Sequence, residues 1–192
     1  MTTLWAARHG ETDWNREGRW QGQALHAPTL NVTGRAQALG LAMQLQGRDL
    51  TAIYSSDLQQ AQDTARAVAH LFRAPLYIEP RLREMKLGAW EGMLTEDLTR
   101  LHLAEIREWQ INPLTTRPPG GGETAAEVLA RLRTAADEIA TRHPSDAVVL
   151  VSHGLALAAL RCLVDSRTLA GFDRWIPEKG VPFAIDWQPG VS

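Results

Sequence analysis

The stretch Ala147–Gly154 reads Ala-Val-Val-Leu-Val-Ser-His-Gly, an apolar run that ends abruptly in polar residues. A short continuous apolar run of this kind is typical of a strand buried on both faces of a parallel sheet. The pattern recurs near the start of the chain, where Leu4–Ala7 is followed by Arg-His-Gly. Because parallel strands present their carboxyl ends at one edge of a sheet, we expect His9 and His153 to be neighbours there.

Strand-like and helix-like segments alternate along most of the chain. Short apolar runs predict strands at residues 51–54, 75–78 and 183–187, and Pro182 favours a sheet edge for the last of these. Helical periodicity covers four segments: 33–46, a helix capped by Ser56 that runs to about 72, a helix capped by Thr124 that runs to about 142, and 155–163. This alternation predicts an α/β fold with a mainly parallel sheet covered by helices on both faces.

The stretch Gly88–Gly122 does not follow the alternation. It contains one helix-like segment, Glu96–Trp109, and then a Pro- and Gly-rich run that cannot be regular structure. We therefore expect one domain over residues 1–192, with a short cap inserted at residues 93–122 beside the carboxyl edge of the sheet.

Composition narrows the classes of protein that this chain can be. It has 192 residues, of which 44% are hydrophobic and 22% charged, and its net charge of −2 creates no general attraction for nucleic acid or an anionic membrane. Its apolar runs are too short to span a bilayer, and Cys162 is its single cysteine. Because the N-terminus also lacks the pattern of a signal peptide, a cytoplasmic protein without nucleic-acid or membrane partners is expected.

The two histidines and Arg8 indicate an oxyanion pocket. A zinc site requires a third ligand at close spacing, which the sequence around His9 and His153 does not offer, and a fixed guanidinium would repel a metal ion. Arginine is suited to binding phosphate or carboxylate through two hydrogen bonds. Backbone N–H groups after Ser56 would point to the same sheet edge. We interpret the other histidines as structural: His26, His70, His102 and His143.

A series of motifs in fixed order extends from Arg8 to Gly154. They are Arg8–Thr12 with Trp14 and Asn15, Gln21–Gly22, Leu30–Ala38, Ser55–Leu58, Arg81–Gly92, Pro119–Glu123 and Val151–Gly154. Together they resemble the histidine phosphatase superfamily, also called phosphoglycerate mutase-like, and its branch of small phosphatases. The resemblance implies a three-layer α/β/α sandwich and a reaction that uses neither a metal nor a cofactor.

The resemblance also implies catalytic roles. His9 would be the nucleophile that forms a phosphohistidine, while Arg8 and a protonated His153 would hold the phosphoryl oxygens. Glu84 would protonate the leaving alkoxide and then take a proton from the attacking water, which requires a raised pKa.

Further residues of the matching motifs are expected to bind substrate. Asn15 and Gln21 would donate hydrogen bonds near the phosphate, and Gly22 and Gly154 are expected beside it. Gln60 takes the place of an arginine that the resembled family usually has, so one phosphate-binding charge is missing. Arg83 and Arg35 are candidate replacements.

The sequence favours a phosphomonoesterase that acts on a small phosphorylated metabolite. After Glu84 the chain reads Met-Lys-Leu-Gly, like the smaller phosphatases, and lacks the Arg-His-Tyr-Gly of the mutases. Two alternatives stay open: a 2,3-bisphosphoglycerate-dependent phosphoglycerate mutase and a non-catalytic phosphate-binding module. Dimers occur in the resembled family, which leaves a homodimer open. Substrate choice is expected to depend on four cap residues, namely Arg107, Trp109, Asn112 and Arg117.

Overall fold

A five-stranded sheet runs through the middle of the molecule. The computed structural model describes residues 1–190. The strands are β1 (Thr2–Arg8), β2 (Leu50–Ser55), β3 (Leu76–Ile78), β4 (Ala147–Ser152) and β5 (Pro182–Trp187). Their order is β3-β2-β4-β1-β5, and β5 alone is antiparallel to its neighbour within this sheet. The predicted mainly parallel sheet, with the last strand at an edge, is confirmed.

Helices cover both faces of the sheet. They are α1 (Asp13–Glu17), α2 (Val32–Gln44), α3 (Gln59–Phe72), α4 (Thr95–Leu101), α5 (Leu103–Ile111), α6 (Ala125–Arg142) and α7 (Gly154–Val164). Side chains of successive strand residues point to opposite faces, so Val149 and Val151 pack with α2 and α3 while Val148 and Leu150 pack with α6 and α7. The predicted three-layer α/β/α sandwich is confirmed. Within residues 1–190, none of the helices has both the length and the apolar character that a membrane crossing requires.

The two predicted helix caps have different outcomes. Thr124 caps α6 in a reciprocal capping box with Glu127, and the helix ends at Arg142 as predicted. The predicted cap at Ser56 is wrong, because α3 begins only at Gln59 and its N-cap residue, Leu58, makes no side-chain cap. The Ser56 hydroxyl instead accepts a hydrogen bond from the Leu58 N–H and lies 2.8 Å from Nε2 of His153, the residue after β4.

Residues 93–122, which the sequence predicts to be an inserted cap, contain two short helices where the pattern predicts one. The backbone leaves helical geometry at His102, between α4 and α5. Neither glycine nor proline stands at this break, so the sequence has no local signal for it. Each helix buries its own apolar side chains, Leu98 from α4 and Trp109 from α5. Trp109 packs in an edge-to-face aromatic cluster with Trp20, Trp90 and Phe172.

Candidate active site

The register of β1 and β4 brings the two histidines together. Arg8 pairs with Ser152, so His9 and His153 both follow directly at the carboxyl edge of the sheet. The His9 N–H donates to the Ser152 carbonyl at 3.0 Å, and the centres of the two imidazole rings are 5.0 Å apart. The structure therefore shows that they are neighbours, as their positions after two parallel strands predict.

The hydrogen bond of His9 determines which ring nitrogen is free. Its Nδ1 lies 2.7 Å from the carbonyl oxygen of Gly10. Because a carbonyl only accepts hydrogen bonds, Nδ1 carries the proton and the lone pair is on Nε2. Burial, and then the positive charge of Arg8, lower the pKa of His9 to about 3. The ring is therefore neutral at physiological pH.

His153 is held from the opposite side of the pocket. Its Nε2 lies 2.8 Å from the hydroxyl of Ser56. Burial, followed by the nearby His9 and several arginines, holds the pKa of His153 well below its ordinary value. This direction favours the neutral ring when the site holds no anion. A phosphate dianion beside the ring would favour its charged form.

Arg8 places a guanidinium at the same edge. Its Nε is buried without a hydrogen-bond partner among residues 1–190, and one terminal nitrogen lies 3.4 Å from the Pro177 carbonyl. Burial lowers the pKa of Arg8, but an arginine remains charged in proteins. A Cβ on Gly154 would lie 3.3 Å from the guanidinium carbon, so the glycine leaves room for this side chain.

The first turn of α7 holds the carboxyl group of Glu84. Its oxygens accept hydrogen bonds from the backbone N–H groups of Leu155 at 3.0 Å and Ala156 at 2.9 Å, and from Met85 at 2.8 Å. These bonds and Arg8 favour the carboxylate, but burial outweighs them and raises the pKa of Glu84. A raised pKa is what a carboxyl group needs to donate a proton near neutral pH.

Arg131 on α6 fixes the loop that carries Glu84. Its guanidinium donates to the carbonyls of Arg81 and Arg83, both at 2.7 Å, and to that of Glu84 at 2.9 Å. Glu123 holds the same guanidinium through two hydrogen bonds of 2.9 Å. Sequence reasoning missed this residue, because contacts across about fifty positions of the chain leave no local pattern.

Asn15 orients Gln21. The Asn15 amide nitrogen donates to the Gln21 side-chain oxygen at 2.7 Å, while its oxygen accepts from the Thr12 N–H at the start of α1. The Gln21 amide nitrogen has no partner within the described residues and is buried. At Gly22, where φ is +52°, a Cβ would lie 2.6 Å from the Glu91 carboxylate, so this turn requires glycine.

These groups line one cavity of about 260 Å³ at the carboxyl edge of the sheet. Eight of the nine residues predicted for the site line it: Arg8, His9, Asn15, Gln21, Gly22, Glu84, His153 and Gly154. In the part of the chain that the structure describes, no group of three or more His, Cys, Asp or Glu residues is placed to hold a metal ion.

Comparisons with known proteins find relatives that match most of this chain. The family model of the histidine phosphatase superfamily (branch 1) matches residues 4–190. The chain belongs to this superfamily. Phosphoserine phosphatase 1 of Hydrogenobacter thermophilus is 34% identical over 172 residues, which cover 90% of this chain and 80% of that protein. The predicted enzyme class, a phosphoric monoester hydrolase, is confirmed.

Two further relatives show the range of the superfamily around this chain. A probable phosphoglycerate mutase GpmB of Photorhabdus laumondii is 34% identical over 163 residues, 83% of this chain and 73% of that protein. The solved structure of Bacillus stearothermophilus YhfR matches with a TM-score of 0.87 at 32% identity, covering 99% of this chain and 93% of that one.

Gln60 is the one predicted site residue of this histidine phosphatase that does not line the cavity. Its side chain is buried, with 3% of the residue exposed. Helix α3 begins later than predicted, so Gln60 lies in the first turn and not about one turn into the helix. The cavity lining does not include Gln60, and its role in substrate binding stays a prediction.

The four cap residues that were expected to set substrate choice also lie away from the cavity. Trp109 is fully buried in the aromatic cluster, and Arg117 forms two hydrogen bonds of 2.6 Å with Glu127 at the surface. Asn112 donates to Glu108, and Arg107 is exposed. The outer wall of the cavity is formed instead by residues that the sequence did not single out: Arg19, Trp20, Thr95, Asp173, Ile176 and Lys179.

Proposed function

We propose that this protein hydrolyses phosphate monoesters of small metabolites through a phosphohistidine at His9, without a metal ion. The observation that carries the proposal is the orientation of His9: its Nδ1 is engaged by Gly10, so the Nε2 lone pair is available at a cavity that also contains Arg8, His153 and Glu84. A neutral imidazole in this position is a competent nucleophile towards phosphorus.

In the first step, Nε2 of His9 attacks phosphorus and the bond from phosphorus to the ester oxygen breaks. The carboxylic acid form of Glu84 gives its proton to the leaving alkoxide. The new imidazolium keeps its Nδ1 proton in the hydrogen bond to Gly10. Arg8 and His153 stabilise the negative charge on the phosphoryl oxygens during the transfer.

In the second step, water attacks the phosphohistidine. The Glu84 carboxylate takes a proton from the water, the phosphorus–nitrogen bond breaks, and inorganic phosphate and neutral His9 are regenerated. Three backbone N–H groups at Glu84 support its carboxylate form, while its burial supports the acid form. This balance suits a group that must alternate between the two roles.

We favour hydrolysis over the mutase reaction, which is the alternative that the name of the Photorhabdus relative suggests. A mutase must protect the phosphohistidine from water with a cover over the site. Within the described stretch 93–122, Thr95 alone lines the cavity. The name of the Hydrogenobacter relative also supports hydrolysis, and a small phosphorylated metabolite is the partner that we propose.

The test is phosphate release in EDTA from a panel of phosphorylated acids, sugars and amino acids, together with acid quenching to trap phosphate on His9. Turnover with chelator and labelling at His9 would support the proposal. Activity that depends on added 2,3-bisphosphoglycerate would show a mutase. Phosphate binding without labelling or turnover would show a binding module.

A further inference from the structure

The second phosphate-binding arginine that the matching motifs lead one to look for would stand at position 60, where this chain has glutamine. Gln60 carries no charge, and neither candidate replacement lines the cavity. Arg83 is paired with Asp57 through two hydrogen bonds, and Arg35 donates to the Leu30 carbonyl at 2.7 Å. Both guanidinium groups are therefore engaged elsewhere.

A lysine distant in sequence from the other site residues lines the cavity beside Arg8. Lys179 lies in the segment between α7 and β5 and forms an isolated parallel bridge with Arg8. The N–H of Gly180 donates to the Arg8 carbonyl at 3.0 Å, which holds the segment against the end of β1. The Lys179 side chain is half-buried and lines the cavity together with Arg8 and His9.

The electrostatic surroundings of Lys179 favour an anion. Burial, and then the positive charge of Arg8, lower the pKa of Lys179, while the negative charge of Glu11 raises it. Glu11 also accepts a hydrogen bond from Asn31. The positive charge of Lys179 in turn contributes to the lowered pKa of His9. Two cations close together repel each other, and a doubly charged anion between them removes that repulsion.

We propose that the ammonium group of Lys179 binds the phosphoryl group of the substrate and provides the positive charge that Gln60 does not. The proposal rests on the proposed phosphatase function. Lysine is a compact charge on a flexible stem, so it can follow the phosphoryl oxygens as they move from the ester oxygen towards Nε2 of His9. We expect it to contact phosphate in both the ground state and the transition state.

The direct test measures equilibrium binding of inorganic phosphate and orthovanadate by calorimetry in EDTA. Lys179→Gln keeps a hydrogen-bond donor but removes the charge, and we expect it to weaken binding by about ten- to a hundredfold. Lys179→Arg restores the charge and should bind phosphate nearly as well as the original protein. Lys86→Gln is the matched control, because Lys86 is exposed and lies outside the cavity.

A second readout does not depend on substitution. The sequence contains two lysines, Lys86 and Lys179, so acetylation by a mild reagent can be followed at each by mass spectrometry. Inorganic phosphate should slow acetylation of Lys179 and leave that of Lys86 unchanged. Equal labelling of Lys179 with and without phosphate, or phosphate binding within twofold of the original in Lys179→Gln, would overturn the proposal.

The same binding data separate this proposal from the proposed function. If phosphate binding depends on Lys179 but no monoester is turned over, the hydrolase fails and the role of Lys179 as a phosphate ligand stands. If turnover and phosphohistidine form normally in Lys179→Gln, the hydrolase stands and the role of Lys179 fails. If the original protein binds no phosphate, both are overturned.

Discussion

The proposed chemistry depends on the proton of His9 being on Nδ1. That proton is held by the Gly10 carbonyl, and a pKa of about 3 keeps the ring neutral across the working pH range. We expect His9→Ala to lose phosphate release and covalent labelling by roughly a thousandfold or more, because no other nucleophile replaces the imidazole.

Labelling by a radioactive substrate, with acid-labile phosphate as the criterion, checks this prediction. His70→Ala is the control, since His70 is an exposed histidine on α3. Labelling of His9→Ala at a rate comparable to the original protein would exclude His9 as the nucleophile.

The role of Glu84 predicts a dependence on the leaving group. A general acid contributes more as the leaving group becomes more basic, so Glu84→Gln should slow alkyl phosphates by roughly a hundredfold or more and nitrophenyl phosphate by far less. Because burial raises the pKa of Glu84, kcat/KM for alkyl phosphates should fall as pH rises through that pKa. Steady-state rates against pH for both substrates test this. Equal losses for the two substrates, or an unchanged alkaline limb in Glu84→Gln, would remove Glu84 from the acid role.

At the scale of single residues, the sequence predicts some features of the site and carries no signal for others. His9 and His153 were placed together because each follows a buried strand, and strand register carries such information. The charge of His153, the burial of Gln60 and the presence of Lys179 depend on what surrounds each side chain in three dimensions. No pattern along the chain encodes those surroundings.

Two helices position Glu84, the proposed general acid. The first turn of α7 binds the carboxyl group of Glu84, and Arg131 on α6 binds the backbone of its loop. We expect Arg131→Met to lower kcat for alkyl phosphates by roughly tenfold or more, since small displacements of a catalytic group are costly. Phosphate binding should change little, because Arg131 does not line the cavity.

The comparison of kcat with phosphate affinity distinguishes this positioning role from general unfolding. Arg133→Met on the same helix is the control, and urea unfolding of both variants measures the change in stability. Partial rescue by Arg131→Lys is expected. A parallel loss of nitrophenyl and alkyl phosphate turnover would contradict a role through Glu84.

Helix boundaries show which elements a sequence can specify. The start of α6 was predicted because its Thr124 capping box is local, and its signal does not depend on tertiary contacts. The Ser56 hydroxyl had the same local signal, but it contacts His153 and the Leu58 N–H, and α3 starts only at Gln59. The five-residue helix α1 was missed, although Thr12 and Asn15 form a capping box in which asparagine takes the place of the usual glutamate.

The whole molecule should lose stability in acid because it buries neutral histidines. In the unfolded chain a histidine takes up a proton near pH 6.5, whereas folded His9 does so only near pH 3. The unfolded state therefore binds more protons between these values. The free energy of unfolding should fall by about 1.4 kcal/mol per pH unit for His9 as pH is lowered through this window. His153 acts in the same direction, and Glu84, whose pKa is raised, acts in the opposite one.

Urea unfolding at a series of pH values from 7 to 4 tests this prediction. His9→Asn should show a shallower dependence of stability on pH than the original protein, and His70→Asn an unchanged one. Identical slopes for His9→Asn and the original protein would show that burial of His9 does not govern acid stability.

At the scale of the fold, the alternation of strands and helices was sufficient to predict the layers and the edge at which the site lies. Parallel sheets have few arrangements, so a correct list of elements leaves little freedom. The wall opposite the histidines was not predictable in this way. It is assembled from segments after β1, after β3 and before β5, whose paths depend on packing.

The position of β4 between β1 and β2 also has a consequence during synthesis. His9 is synthesised well before β4 and β5, the two neighbours of its strand, which lie at residues 147–152 and 182–187. Until those strands emerge, β1 has no partner in the sheet and the nucleophile has neither His153 nor Lys179 beside it. We therefore expect a nascent chain to be inactive towards phosphorylated compounds until β4 and β5 have been synthesised and the sheet can form.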